Sequence, residues 1–422
     1  MALSCQREAF DFPPTDGDEP LTYLNCAYLG PLPRASRDAA KAACERQTQP
    51  FVHLAGKPGE QLSSFHADVE ACRTAMAALV GAAAEEIALV PSTSYAMAVA
   101  CKNLCPPGAL QSGDNLLVIE QQFQSNFYCW EEAAAEAGAT LLVVPRPADF
   151  DWTAAVLAAL SAAGGPAGGP AGGPVRVAAL PSCHWTDGST LDLVRIGVKC
   201  REMGTALVVD GTQSVGAAPF DVKEVQPDFM AVSSYKWCLC PYGLAFLYAS
   251  KKWQESGAPL EQHNWERRGD GFYNYEYTPG SRRFDGGQPS NFITLPAAAV
   301  SLQQLGRWTP AAIAEYTRPL IARACERGEA LGLSAPPPAH RSAHLVGVRL
   351  PKGRLTPEGL QRLAAALLER GVHVSIRGTA VRLAPHVWNV MADIDRAFDV
   401  LAELLAPGSE LDEDGAVPAA RL

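Results

Sequence analysis

Residues 232–237 read VSSYKW: a lysine follows a strand-like run and is flanked by Tyr235 and Trp237, with the apolar stretch CLCPYGLAFLYA behind it. A run such as DFMAVSS normally ends in water. An amine held in apolar surroundings loses the stabilisation of its charged form, so its pKa falls and it becomes a nucleophile. Asp210 closes another apolar run, TALVVD, with Gln213 at the turn that follows. A carboxylate there needs a cation or hydrogen-bond donors as partners. In open parallel sheets ligands sit outside the carboxyl ends of strands, so Asp210 and Lys236 are expected on neighbouring strands at one sheet edge. In PSTSYAMAVA, Thr93 and Ser94 stand where a strand gives way to a helix, a position whose hydroxyls and free N–H groups suit either a helix cap or a bound phosphate.

A lysine able to form a Schiff base, an acid to pair a pyridinium nitrogen and a phosphate cradle are together what pyridoxal phosphate requires. Ser233 and Tyr235 could complete the cradle. A second chemistry stays open, because Ser233 to Lys236 also satisfies S-x-x-K, the pattern of serine acyl-transferases. Its companions S-D-N and K-T-G are missing from the chain, and that serine should open a helix. A third reading is a binding module without catalysis, for which a buried amine facing a buried acid has no physical use.

The elements that must position these residues alternate along the chain. IALVPS, NLLVIE, TLLVVP, VRVAALP, ALVVD, FMAVSS and LAFLYA are short apolar runs separated by helical patterns such as WEEAAAEAG and LDLVRIGVKCREMG. This predicts an α/β fold: a large domain with a mostly parallel, helix-covered sheet. HLVGVRL, LQRLAAALLERG, GVHVSIRG, AVRLAP and ADIDRAFDVLAELL predict a small C-terminal α+β domain. The expected boundaries are 1–75 for an N-terminal segment with helices packing on the active site, 76–305 for the large domain, 306–405 for the small domain and 406–422 for a polar, disordered tail. AGGPAGGPAGGP at 163–174 reads as an exposed insert with no core side chains.

Composition narrows the partners. A net charge of −10 without blocks of like charge argues against nucleic acid and anionic membrane surfaces. No apolar run reaches the roughly 18 residues of a spanning helix. Glu8, Asp11, Asp16, Asp18 and Glu19 do not fit a signal or transit peptide. Twelve cysteines, scattered without framework or C-x-x-C spacing, predict reduced thiols, a cytoplasmic setting and no metal site.

VVDGTQSVGAAPFDV, D-F-x-x-x-S-S-Y-K-W and P-Y-G-x-x-F-L-Y resemble the fold-type I, class V aminotransferase family of pyridoxal-phosphate enzymes, the group of cysteine desulfurases, kynureninases and isopenicillin N epimerases. Segments from Glu120, His184, Arg283 and Val381 resemble family segments in the family's order. The resemblance implies that Lys236 forms the Schiff base, Asp210 pairs with the pyridine nitrogen, Gln213 reaches the ring oxygen and Phe123 stacks on the ring. Thr93, Ser94, Ser233 and Tyr235 would hold the phosphate, Trp185 would lie near the ring, and Gln288 with Asn291 would reach the phosphate of a partner subunit in a homodimer. Arg382 matches the arginine that grips the substrate α-carboxylate. Arg377 reads equally as a second anion contact or a solvated strand-end residue, and Asn25 and Tyr28 are taken as further substrate contacts. His184, Cys238 and Cys240 read as packed side chains, and His386 as a helix-entry residue before a catalytic one.

Two departures bear on the reaction. Desulfurases carry a histidine before the lysine and another near the ring, where this chain has Tyr235 and Phe123; the tyrosine is similar to kynureninase-like members. No cysteine follows Cys325, so the C-terminal thiol that accepts sulfur in desulfurases has no counterpart. The expected activity forms an external aldimine and a Cα carbanion with a small L-amino acid and proceeds to β-elimination such as C–S lyase chemistry, with transamination and epimerisation as the alternatives.

Overall fold

The computed structural model describes residues 2–13, 21–53, 61–163, 173–263, 267 and 276–409. Most of the Gly/Pro insert, residues 14–20 with three of the early acidic positions, and 410–422 of the expected tail lie outside the described residues. The strands, in chain order, are β1 (Thr22–Tyr23), β2 (Ile87–Val90), β3 (Asn115–Ile119), β4 (Thr140–Val144), β5 (Val175–Pro181), β6 (Ala206–Asp210), β7 (Phe229–Ser233), β8 (Ala245–Ala249), β9 (Val346–Arg349), β10 (Val372–His373), β11 (Ser375–Arg377) and β12 (Ala380–Leu383).

The chain divides into two units. The larger one, 32–183 and 190–310, is built on a seven-stranded sheet of order β2-β8-β7-β6-β5-β3-β4. β3, β4, β5, β6 and β7 pair in parallel, and β8 runs antiparallel to both β7 and β2. β2 therefore points the same way as β7, and the carboxyl ends of β2, β3, β6 and β7 share one sheet edge. Each of those four strands is followed by a residue expected at the cofactor. β2, β3, β7 and β8 are buried at every position, which is why they read as unbroken apolar runs rather than as alternating ones. The helix Thr93–Leu104 packs on β2, β6, β7 and β8, and buried Ala96, Met97, Val99 and Ala100 face a core shared with Trp130, Val208, Phe229 and Phe284. Arg73 braces this unit through a buried ion pair to Asp285, whose carboxylate also accepts from the Leu89 N–H.

The smaller unit comprises 1–31, 184–189 and 311–422. β11, β12 and β9 form an antiparallel sheet, and Val346, Val348, Leu363, Phe398 and Leu401 lie in its core. This division differs from the sequence-based one. The first 31 residues group with the C-terminal part because β1 pairs in parallel with β10, Thr22 opposite Val372, and because the Asn389 amide and the Trp388 indole N–H both donate to the Tyr23 carbonyl. Residues 184–189 join them through Arg349, which donates to the buried Asp187 carboxylate at 2.7 Å, and through the Gly347 N–H, which donates to the Asp187 carbonyl. Helix Pro357–Glu369 and helix Met391–Leu404 supply the remaining layer.

Candidate active site

Asp210 is the last residue of β6, flanked in register by Pro181 of β5 and Ala231 of β7. Burial there raises its pKa, opposed by the Thr212 hydrogen bonds and by the charge of Lys236. The Thr212 N–H donates to Asp210 Oδ1 at 3.0 Å, and the Thr212 hydroxyl accepts from the Ser233 N–H at 3.1 Å, so one side chain ties the end of β6 to the end of β7. Lys236 follows three residues after β7 and is only 6% exposed. Its amine lies 5.1 Å from the centre of the Phe123 ring and 5.4 Å from that of Tyr235. Tyr235 in turn packs against Tyr242 at 4.5 Å between ring centres.

The loop that carries the lysine is fixed from beneath. Gln213 Oε1 accepts from the Trp237 indole N–H at 2.8 Å, which leaves its amide N–H₂ as the group turned to other partners. Gly216 has φ +98, and a Cβ there would sit 2.6 Å from the Trp237 carbonyl oxygen, so this crossing admits only glycine. Ser234 donates to the Leu244 carbonyl, and Cys238 and Cys240 are buried, their thiols pushed up by burial. These cysteines are packed groups, as the sequence suggests.

At the end of β2 the helix cap is Ser92, whose hydroxyl accepts from the Tyr95 N–H at 3.1 Å. Thr93 and Ser94 are thereby released from capping and occupy the first helical turn. Ser94 shares a 2.9 Å hydroxyl–hydroxyl bond with Ser125, while Thr93 Oγ1 is buried with no hydrogen-bond partner. An orphaned buried hydroxyl beside the unsatisfied N–H groups of a twelve-residue helix fits an anion such as a phosphate. The cofactor required by the sequence reading therefore finds fitting residues: a buried acid, a buried amine over an aromatic ring, and an anion cradle.

Gln288 is exposed, with φ +56, in the loop before the helix Thr294–Trp308. Asn291 of that loop accepts from the Thr294 N–H at 2.9 Å.

In the smaller unit, Arg382 and Arg377 lie on one face of the β11-β12 ladder, since Arg382 is opposite Ser375 and residues two apart share a face. Both reach Trp185. Arg382, 1% exposed, donates to the Trp185 carbonyl at 2.8 Å, and the Arg377 guanidinium lies 5.6 Å from its ring centre and 5.9 Å from that of Tyr28. Trp185, expected near the cofactor ring, thus groups with the two arginines. Arg377 donates to the Ile376 carbonyl, its Nε is buried without a partner, and burial lowers its pKa from the usual guanidinium range. Asn25 accepts from the Ser375 hydroxyl at 2.7 Å. Asn25, Tyr28, Ser375 and Arg377 line a cavity of about 450 Å³. His184 is buried and bonded to the Thr186 hydroxyl at 2.8 Å, and buried His386 stacks on Trp388 at 4.7 Å. Thr212, Ser92 and Ser125 were absent from the sequence-based set.

The family model for aminotransferase class-V matches residues 45–394. The chain belongs to that family. It is 26% identical over 373 residues to the uncharacterized aminotransferase YcbU of Bacillus subtilis (strain 168), covering 88% of this chain and 93% of that one. It is 26% identical over 417 residues to the isopenicillin N epimerase of Amycolatopsis lactamdurans, covering 92% and 96%. Among solved structures, a cysteine desulfurase from Thermococcus onnurineus NA1 superposes with a TM-score of 0.78 at 19% identity, covering 96% of this chain and 99% of that one. That likeness fixes the fold as type I of the pyridoxal-phosphate enzymes, as the class V resemblance implied. No helix among the described residues is long and apolar enough to cross a membrane, and no group of three or more His, Cys, Asp or Glu side chains among them is arranged to hold a metal ion.

Proposed function

We propose that this class V chain is a β-eliminating lyase that cleaves a C–S or related bond in a small L-amino acid, and that it works as a homodimer. The family's enzymes act on amino acids and depend on pyridoxal phosphate, and this chain is one of them. When bound, the cofactor supplies an electron sink for the pair left behind at Cα once a proton departs.

The chain's own residues supply the rest. Lys236 would hold the cofactor's aldehyde carbon through its amine and, when free, would be the base that takes the Cα proton. Asp210, whose buried negative charge calls for a cationic partner, would keep the ring nitrogen protonated. Thr93, Ser94, Ser233 and Tyr235 would hold the phosphate, Gln288 would contribute to the partner's phosphate, Phe123 would lie against the ring, and the Gln213 amide would serve the ring oxygen. Arg382 grips the α-carboxylate, with Arg377, Asn25, Tyr28 and Trp185 as neighbouring substrate contacts, because a planar guanidinium matches a carboxylate in two parallel bonds.

The observation that carries the reading is the placement of Asp210 and Lys236 at the carboxyl ends of adjacent parallel strands. Elimination is favoured over two-base epimerisation because Phe123, whose ring centre lies 5.1 Å from the lysine amine, has no proton to exchange where the desulfurases carry a histidine. The missing C-terminal thiol favours release of sulfur over its storage on the enzyme. Incubating the cofactor-loaded enzyme with L-cysteine, L-alanine and L-aspartate tests this. Equal amounts of pyruvate, sulfide and ammonia from L-cysteine are expected. Keto acid formed only with an amino-group acceptor, or D-amino acid without sulfide, would replace the lyase with one of the alternatives.

A further inference from the structure

The cavity of about 450 Å³ in the smaller unit is far larger than a cysteine thiol requires. Leu360 and Ala364 of the helix Pro357–Glu369 give it an apolar wall, Asn25, Tyr28 and Gln361 add neutral polar groups, and Arg377 adds a charge. The two-residue turn Gly378–Thr379, with Gly378 at φ +58, closes the β11-β12 hairpin and sets Arg377 opposite Ala380 and Ser375 opposite Arg382. Arg377 and Arg382 are therefore diagonal neighbours on one face of the ladder, a spacing of about 7–8 Å. Trp185 touches both, through its carbonyl to Arg382 and through its ring to Arg377.

Arg377 is half-buried, and its surroundings supply no negative charge. One N–H donates to the adjacent Ile376 carbonyl, and the Tyr28 and Trp185 rings lie within cation–π range at 5.9 and 5.6 Å. Those rings hold the guanidinium without using its N–H donors. Its Nε is buried with no hydrogen-bond partner, and no carboxylate among the described residues pairs with it. Donors shielded from water in this way are costly unless an acceptor arrives to take them, and a planar guanidinium matches a carboxylate best.

We infer that the reacting amino acid carries a second carboxylate at the far end of its β-substituent, and that Arg377 binds it while Arg382 takes the α-carboxylate. The inference rests on the proposed role of Arg382. Joined to the lyase reading, it makes the substrate a cysteine thioether whose sulfur substituent ends in a carboxylate, such as S-carboxymethyl-L-cysteine. The apolar wall suits the sulfur and methylene stem. Elimination breaks the Cα–H and Cβ–S bonds; sulfur leaves with the bonding pair and takes up a proton as a mercapto acid. One water is consumed as the three-carbon remainder is released as pyruvate and ammonium. L-Cysteine, without the second acid, is then the poorer substrate.

Adipate and its monoamide, adipamate, test the site on the cofactor-loaded enzyme. Adipate matches the spacing of the two acids in S-carboxymethyl-L-cysteine, adipamate differs from it by one charge, and neither has an amine to react. Calorimetric titration should show adipate binding at least about tenfold tighter, a preference that Arg377→Gln removes and Arg377→Lys partly keeps. In kcat/KM, S-carboxymethyl-L-cysteine should exceed S-carbamoylmethyl-L-cysteine by a similar factor, with mercaptoacetate and pyruvate formed in equal amounts. An adipate preference that depends on Arg377, without mercaptoacetate release, supports the second-acid site and places the failure in the lyase reading. Equal binding of the two probes by the wild type, or a preference that folded Arg377→Gln protein retains, would overturn the inference. If Arg377→Gln does not fold, Arg377→Lys and the wild-type comparison still decide.

Discussion

Thr212 bonds to both strand ends that carry the proposed catalytic pair: its N–H donates to Asp210 Oδ1 and its hydroxyl accepts from the Ser233 N–H, three residues before the lysine. Thr212→Val keeps the shape and the first bond but leaves the buried Ser233 N–H unsatisfied, at a cost of about 1–3 kcal/mol. Denaturant titration of the variant should show that loss. Its kcat/KM should fall with it, because the lysine loop loses one anchor.

The buried Asp210 carboxylate makes a pH-dependent prediction for the cofactor-free protein. Its pKa is raised in the fold, chiefly by desolvation. Between the ordinary carboxylate value near 3.9 and the raised one, the folded state binds more protons than the unfolded state, so stability falls as pH rises through that window. Asp210→Asn should therefore make the apo-protein more stable than wild type at pH 7 to 8, with the gap closing below about pH 4. In the loaded enzyme the same substitution should lower kcat by about 10²–10³-fold, since it removes the charge proposed to hold the ring proton. Thermal melts across pH and steady-state rates read the two effects separately.

Much of this site is legible in the sequence because burial erases alternation. IALV, LLVI, ALVV and FMAV are apolar throughout, so the polar residues just beyond each run stand out, and Asp210 and Lys236 announce themselves that way. Which of three consecutive hydroxyls caps the helix at Ser92 is not legible, because Ser92, Thr93 and Ser94 have similar capping preferences and only the backbone geometry selects one. Thr212 is hidden for a related reason: its partners are an adjacent strand's N–H and its own neighbour's carboxylate, and neither leaves a pattern. The docking of residues 1–31 on the C-terminal part rests on a two-residue strand and on long-range bonds to the Tyr23 carbonyl, which no periodicity records. The grouping of Trp185 with Arg377 and Arg382 likewise joins positions nearly 200 residues apart.

Arg382→Lys tests the carboxylate anchor. A lysine keeps the charge but loses the planar fork that donates to the Trp185 carbonyl and whose shape matches a carboxylate. A rise in KM of about tenfold or more for any reacting amino acid is expected, with cofactor absorbance unchanged, and an initial-rate series measures it.

His386 gives the fold an acid sensitivity separate from catalysis. It is fully buried on Trp388, and burial, with His344 nearby, lowers its pKa to about 3. The unfolded state takes up the proton from about pH 6.5 downward while the folded state refuses it, so stability present at neutral pH is lost as pH falls, by roughly 1.4 kcal/mol per unit. His386→Gln should flatten the dependence of the melting temperature on pH between 6.5 and 4.5.

The most direct measurement of the central claim is reduction of the loaded enzyme with borohydride followed by peptide mapping. The account predicts a single phosphopyridoxyl group on Lys236 and its loss, with the absorbance, in Lys236→Ala. A reduced cofactor attached to another lysine, or none attached to a folded wild-type protein that still turns over substrate, would contradict it.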